Sequence, residues 1–286
     1  MSLTIALLSP GAMGSAVAAR LTAHGATVLT SLEGRSEASC ARARAAGMDD
    51  APDKRLAEAD IILSILPPAA ASEPVDALLD HLGEGSLYID CNALSPETKQ
   101  ALEARVTATG AAFVDGVIIG SPPSDQQNPV FYFSGAHAQR ALPLGDFGLD
   151  VRTIDGPVGA AAALKMCFAG INKGVIGLGT AILLAAQRHG AGDALRTELD
   201  ERLPHLLGHF ERGVPGMYPK AYRWIAEMRE IADFLGDEEA GAMIYEGFAR
   251  LYGYIAHDGE GAGEDQAMLD AFFAGPQSPA KKHGAD

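Results

Sequence analysis

The chain has 286 residues, 48% of them apolar and 21% charged, a globular composition with enough length for two domains that each bury a core. A formal net charge of −15 excludes a general affinity for nucleic acid or an anionic membrane, so any anionic ligand has to be held by a few placed groups. Cys40, Cys91 and Cys167 are odd in number, far apart and without CxxC or Cys/His spacing, which predicts neither a disulfide framework nor a zinc site and fits a reducing cytoplasm.

Met1 to Leu8 carries no basic segment ahead of an apolar run and reads as the approach to a strand, not as a cleavable signal. As far as about Asp155, short β-branched or apolar runs alternate with Ala-rich helical stretches, the rhythm of a parallel sheet covered on both faces. The predicted strands are 4–8, 27–30, 61–65, 87–90, 112–117, 130–134 and 150–153. Between the first two, Val17, Arg20 and Leu21 stand at helical spacing, and Gly25 supplies a C-cap. From Val158 onward the pattern is helical, with expected breaks at Gly190 to Gly192, Gly213 to Pro219, Gly236 and Gly259 to Gly263. A first long helix, Pro157 to about His189, forms the spine of this part. Its apolar stretch from Ala160 to Ala186 carries Lys165, Asn172, Lys173 and several glycines, which predicts a buried helix rather than a membrane span. The expected architecture is an α/β Rossmann domain with a mostly parallel, doubly wound sheet at 1–157, an all-α C-terminal domain at 158–275, and a disordered tail at 276–286.

The first strand runs into Ser9-Pro10-Gly11-Ala12-Met13-Gly14 and then a helix, the context in which a glycine turn binds the pyrophosphate of a dinucleotide. Gly11 lets a phosphate approach the backbone, Gly14 lets the helix pack closely on the sheet, and the helix start presents N–H groups and the positive end of a dipole. Ser9 stands where the fingerprint has its first glycine. After the second strand come Thr30-Ser31-Leu32-Glu33-Gly34-Arg35-Ser36. Ser31, Arg35 and Ser36 favour the extra phosphate of NADP, while Glu33 offers the ribose hydroxyls of NAD an acid.

Further stretches fall in the same order as in the β-hydroxyacid dehydrogenases, relatives of 6-phosphogluconate and 3-hydroxyisobutyrate dehydrogenases, and the chain resembles that family over most of its length. Ser9 to Gly14 is similar to the family's GxGxMG turn. Ile62 to Pro67 is similar to its third strand and the loop over the nicotinamide, here with Leu66 and Pro67, and Asp90 to Pro96, with Asn92, to its next strand end. Phe113 to Gly120 resembles the substrate-binding stretch. Gly159-Ala160-Ala161-Ala162-Ala163-Leu164-Lys165-Met166 resembles the helix start that leads to the family's catalytic lysine, which falls on Lys165. A lysine in so apolar a helix either snorkels or occupies a pocket whose burial tunes it for proton transfer.

The departures are specific. One turn after the lysine the family carries a polar pair, where this chain has Phe168 and Ala169; Asn172 or Lys173, two turns on, is the candidate replacement. The family's Ser-Gly-Gly is replaced by Ile119-Gly120-Ser121, leaving Ser121 as the candidate substrate contact. These changes resemble a 6-phosphogluconate-dehydrogenase-like subfamily with a distinct C-terminal domain. There Arg223 and Glu227 either face the cleft or form an ordinary i,i+4 helix pair. His205 and His209 share that spacing without an acid partner and predict no metal site.

The expectation is therefore an NAD(P)-dependent oxidoreductase, NADP favoured over NAD, acting on a small alcohol or carbonyl with Lys165 as acid and base. Imine reduction and cofactor binding without catalysis are the alternatives. A homodimer is expected because the helical part holds more apolar surface than one small domain hides.

Overall fold

The computed structural model describes residues 3–66, 73–236 and 239–275. The predicted residue Pro67 and the predicted tail 276–286 lie outside them. By internal contacts the chain divides into two compact units, one ending at Met166 and one beginning at Cys167.

The first unit is an eight-stranded sheet of β1 (Thr4–Leu7), β2 (Thr27–Thr30), β3 (Asp49–Asp50), β4 (Ile61–Ser64), β5 (Leu87–Asp90), β6 (Ala112–Ile119), β7 (Val130–Ser134) and β8 (Asp150–Thr153). Its order is β3-β2-β1-β4-β5-β6-β7-β8, parallel throughout except where β7 pairs antiparallel with β6. Between them run α1 (Ala12–Ala23), α2 (Glu37–Ala45), α3 (Asp53–Ala57), α4 (Glu73–Leu79) and α5 (Pro96–Thr107), with a 3-10 segment at Ala138–Phe147. Strand residues alternate between two cores, as a sheet buried on both faces requires. Ile5, Leu7, Val28, Leu63, Ile89 and Val114 meet α1 and α2 on one side. Ala6, Leu29, Ile62, Tyr88 and Phe113 meet α3, α4 and α5 on the other. The strand order reverses between β1 and β4, which is the switch point where ligands of open α/β sheets bind.

Seven strands fall where the sequence pattern put them. β3 carried no signal, being two exposed aspartates with no apolar residue to mark a face.

The spine helix is α6 (Ala160–Arg188), which begins in the first unit and continues into the second. The second unit adds α7 (Gly192–Arg202), α8 (Pro204–Met217), α9 (Ala221–Leu235), α10 (Glu239–Glu260) and α11 (Glu264–Ala274). Tyr245 and Phe248 of α10 lie on Gly170, Gly174 and Gly177 of α6, so these glycines serve as a packing groove. Phe210 of α8 lies on Gly179 in the same way, and Trp224 meets Tyr252 edge-on at 5.1 Å between ring centroids.

Two expectations are corrected here. The break placed at Gly213 to Pro219 is confined to a 3-10 turn at Tyr218–Lys220: Gly213 packs on Ile176 inside α8, and Pro215 lies so near the end of the helix that the hydrogen bond it removes leaves the preceding turns intact. The spine helix is only partly buried: Phe168, Ile171, Leu178 and Ile182 are 53%, 67%, 56% and 52% exposed. Among the described residues α6 is the one helix long and apolar enough to cross a membrane, yet it carries Lys165, Lys173 and Arg188.

Candidate active site

β1 ends at Leu7, and the turn that follows delivers Gly11 as the N-cap of α1. The two glycines of the turn do different work. A Cβ on Gly14 would stand 2.1 Å from the Ser9 carbonyl oxygen, so no side chain fits where α1 crosses the strand end. A Cβ on Gly11 would meet nothing nearer than Ser9 Oγ at 3.8 Å, so packing does not require glycine there. An open position at a helix N-terminus is what close approach of a phosphate needs, and these residues fit a dinucleotide pyrophosphate. Ser9 and Pro10 are buried; Ala12 is exposed and Met13 packs against the sheet core.

After β2, Ser31, Glu33, Gly34 and Arg35 join Leu8, Leu66 and Asp53 around a cavity of about 390 Å³. A second cavity of about 500 Å³ opens on the other side of Ser31 and Glu33, toward Arg44 and Asp50. Asp50 fixes the loop by accepting the Leu32 N–H at 2.9 Å. Arg35 donates to the Leu8 carbonyl at 3.2 Å and Arg42 to that of Pro10 at 3.0 Å, so two guanidinium groups brace the phosphate turn. Ser36 caps α2 by accepting the Ser39 N–H. Arg42, on the exposed face of α2, carried no sequence signal that set it apart from Arg44.

At the C-terminal end of the strands a row of buried polar residues crosses the sheet. Ser64, Asp90, Asp115 and Ser134 are register partners on β4 to β7, and none is accessible to solvent. Lys99, wholly buried, reaches this row from α5. Its ammonium lies 2.5 Å from Asp90 Oδ1 and 3.3 Å from Asp115 Oδ1, and it also donates to the carbonyls of Asp90 and Gly116. Asn92 donates to both Asp90 and Ser64 and accepts the Leu66 N–H at 2.6 Å. Asp115 Oδ2 accepts from Ser134 and from the Gly159, Ala161 and Ala162 N–H groups at the start of α6. A carboxylate on unsatisfied helix N–H groups caps the helix and opposes its dipole.

Lys165 lies on α6, half-buried and close enough to Cys91 to act electrostatically on its thiol, as do Lys99, Asp90 and Asp115. Burial pushes the Cys91 thiol far above the ordinary range, with Lys99 the main opposing influence. Of the charges that act on the Cys91 thiol, just after β5, Lys165 has the weakest influence.

Compared with known proteins, residues 4–142 match the NAD binding domain of 6-phosphogluconate dehydrogenase and residues 186–255 match DUF1932, a domain of unknown function. The solved structure of the conserved protein MTH1747, described as similar to 3-hydroxyacid dehydrogenases, superposes with a TM-score of 0.76 at 26% identity, covering 88% of this chain and 99% of that one. In its first half the chain is similar to the β-hydroxyacid dehydrogenase-like family. It is 24% identical over 283 residues to the uncharacterized oxidoreductase YkwC of Bacillus subtilis, covering 91% of this chain and 95% of YkwC. The NAD-dependent L-serine dehydrogenase of Pseudomonas aeruginosa is 28% identical over 118 residues, which span 38% of this chain and only 39% of that enzyme. Residues 4–142 of this dehydrogenase-like chain match a nicotinamide-cofactor domain.

The other predicted residues are placed as follows. Leu66 lines the cavity after β4, whereas the Asn92 side chain is spent on Asp90, Ser64 and Leu66. Ser121 is exposed in the loop after β6, where Arg20 holds the Ser124 carbonyl at 2.7 Å. In the helical unit Lys173 bonds Glu227 and lies 5.6 Å from the centre of the Trp224 ring, while Arg223 stands over Tyr222; Glu227 takes its lysine from α6. Asn172 is half-buried. Burial first, and then the Glu227 charge, push the neighbouring Glu230 carboxyl up, while Lys173 opposes the shift. Among the described residues no cluster of metal-binding side chains forms.

Proposed function

We propose that this chain is an NADP-preferring dehydrogenase that interconverts a small 3-hydroxy acid, or a related alcohol, and its carbonyl product. The observation that carries the reading is Lys165, half-buried on α6 and near enough to Cys91, the residue after β5, to act on its thiol, in a unit whose Gly11 turn follows β1. The nicotinamide, when bound, accepts or returns the hydride. The Lys165 amine takes the hydroxyl proton as the alcohol is oxidised and returns it in the reverse direction. Ser121 contributes a hydroxyl toward the substrate, with Asn172 the candidate for the role of the polar pair that Phe168 and Ala169 replace. The substrate class is supported by the L-serine dehydrogenase and by the 3-hydroxyacid dehydrogenase likeness of MTH1747. Arg35 and Ser31 on the 390 Å³ cavity favour a 2′-phosphate over a free ribose hydroxyl.

The test is turnover of NADP+ and NAD+ with a panel of 3-hydroxy acids, for the natural chain and for Lys165→Met. Loss of kcat on the order of a hundredfold or more, with NADPH affinity kept, is the expected result. Near-natural alcohol oxidation by Lys165→Met removes the lysine from the mechanism. Turnover of cyclic imines instead of hydroxy acids points to imine reduction, and tight NADPH binding without turnover to a cofactor-binding protein.

A cytoplasmic homodimer completes the proposal, supported by the exposed Phe168, Ile171, Leu178 and Ile182. Their spacing of three, seven and four residues makes one stripe along α6. Ile171→Glu is expected to shift the protein to a monomer in sedimentation; a natural chain that is already monomeric refutes the dimer.

A further inference from the structure

Lys99 is the feature that the reading above leaves without a role. It is wholly buried between two buried carboxylates, one at the end of β5 and one on β6. Burying three ionised groups is costly, and apolar residues of similar volume commonly hold a fold as well or better. What such residues cannot do is fix direction. The ammonium donates to one oxygen of Asp90 and to the carbonyls of Asp90 and Gly116, and it faces Asp115 Oδ1 as an ion pair at 3.3 Å, an oxygen with no hydrogen bond of its own, so that charge alone turns it to Lys99; β5 and β6 are thereby tied to α5. With Oδ1 of Asp115 turned to Lys99, Oδ2 is left to receive the Gly159, Ala161 and Ala162 N–H groups. Those amides open the helix on which Lys165 lies, between one and two turns along. The opposite branch runs from Asp90 through Asn92 to the Leu66 N–H at the end of β4. One buried charge therefore stands between the loop after β4 and the start of α6.

We infer that Lys99 is a positioning residue: it holds Asp115 in the orientation that registers the start of α6 against the end of β5, and thereby aims Lys165 at the reacting atoms. The aim of Lys165 rests on the function proposed above, whereas the hold on α6 does not.

Two variants and one measurement on the natural chain test it. Lys99→Met leaves two carboxylates facing each other and is expected to be destabilised. The double variant Asp90→Asn/Lys99→Met removes one of those charges and is expected to recover the natural melting temperature. Because the tether is still missing, its kcat stays low, on the order of a hundredfold below the natural value for a displacement of about 1 Å, while NADPH affinity is little changed. In the same variant the Ala161 and Ala162 amides exchange with solvent roughly tenfold faster. Recovery of kcat together with stability overturns the inference, since Lys99 would then only balance charge. Unchanged exchange at the start of α6 in a folded variant also overturns it. Rapid exchange of those two amides in the natural chain does so without any variant. Should Lys165→Met retain full turnover, the acid/base reading fails by itself, and the exchange measurements still decide whether Lys99 holds the helix.

Discussion

The sheet unit and the helical unit fix their polar groups in different ways. In the first, Ser64, Asp90, Asp115 and Ser134 are neighbours because strand register makes them so, and the Lys99 ammonium, the Asn92 side chain and the amides at the start of α6 bond to that fixed row. In the second, Lys173 and Glu227 meet through the packing of two helices, with Glu227 still partly in solvent. Register across a parallel sheet allows one arrangement, because a one-residue slip turns every side chain to the opposite face. Positions along a helix offer several neighbours of similar separation, so the pairing is set by whichever helix packs alongside. The difference teaches that a site at a sheet edge is specified by the order of strands, whereas one on a helix face is specified only once the packing is known.

The comparison can be broken most directly at the glycine turn. Gly14→Ala drives a methyl into the Ser9 carbonyl and is expected to cost about 3 kcal/mol or more, seen as a large fall in the denaturation midpoint, with cofactor binding lost. A variant of natural stability would show that the turn yields in a way the rigid strand end does not suggest. In the helical unit the equivalent trespass is Gly179→Val, where the side chain meets the Phe210 ring. The cost there is about 1–3 kcal/mol, because a ring can shift where a backbone carbonyl cannot. Equal losses at the two glycines would remove the contrast between the units. Gly11→Ala sharpens it from the other side: stability changes by less than about 0.5 kcal/mol, while NADPH affinity measured by fluorescence titration falls about tenfold, or about 1.4 kcal/mol.

The smallest effect concerns the thiols. Cys91, buried and with its ionisation pushed up, is expected to resist alkylation in the native protein even near pH 9, above the ordinary thiol value of about 8.5. Cys167 is exposed and is expected to be alkylated first. Modification of Cys91 before global unfolding, located by peptide mass mapping, would show that the end of β5 opens more readily than its hydrogen bonds imply.

The strands were legible because each is a short apolar run between turn residues, and the fingerprint turn because strand, glycines and helix follow one another. Asp90 and Asp115 were visible as members of two stretches but not as register partners, since the sequence does not give the alignment of two strands 25 residues apart. Lys99 was silent for a related reason. In the string Pro96-Glu97-Thr98-Lys99-Gln100 it resembles any lysine on a solvated helix, and only the sheet beneath α5 makes it a buried one. The helix-wide apolarity of α6 predicted burial correctly for Ile176, Leu183 and Leu184 but not for Ile171 or Leu178, because hydrophobicity alone does not say what covers each face.

The outermost strands carry a consequence for assembly. β3 is two residues long and both are exposed aspartates, and β8 at the other margin bears Asp150 paired with an exposed Arg152. Short, charged margins repel an incoming strand and stop a sheet from growing from one molecule into the next. Both rims of this sheet therefore disfavour the addition of a further strand, and the dimer proposed above would have to form through helices.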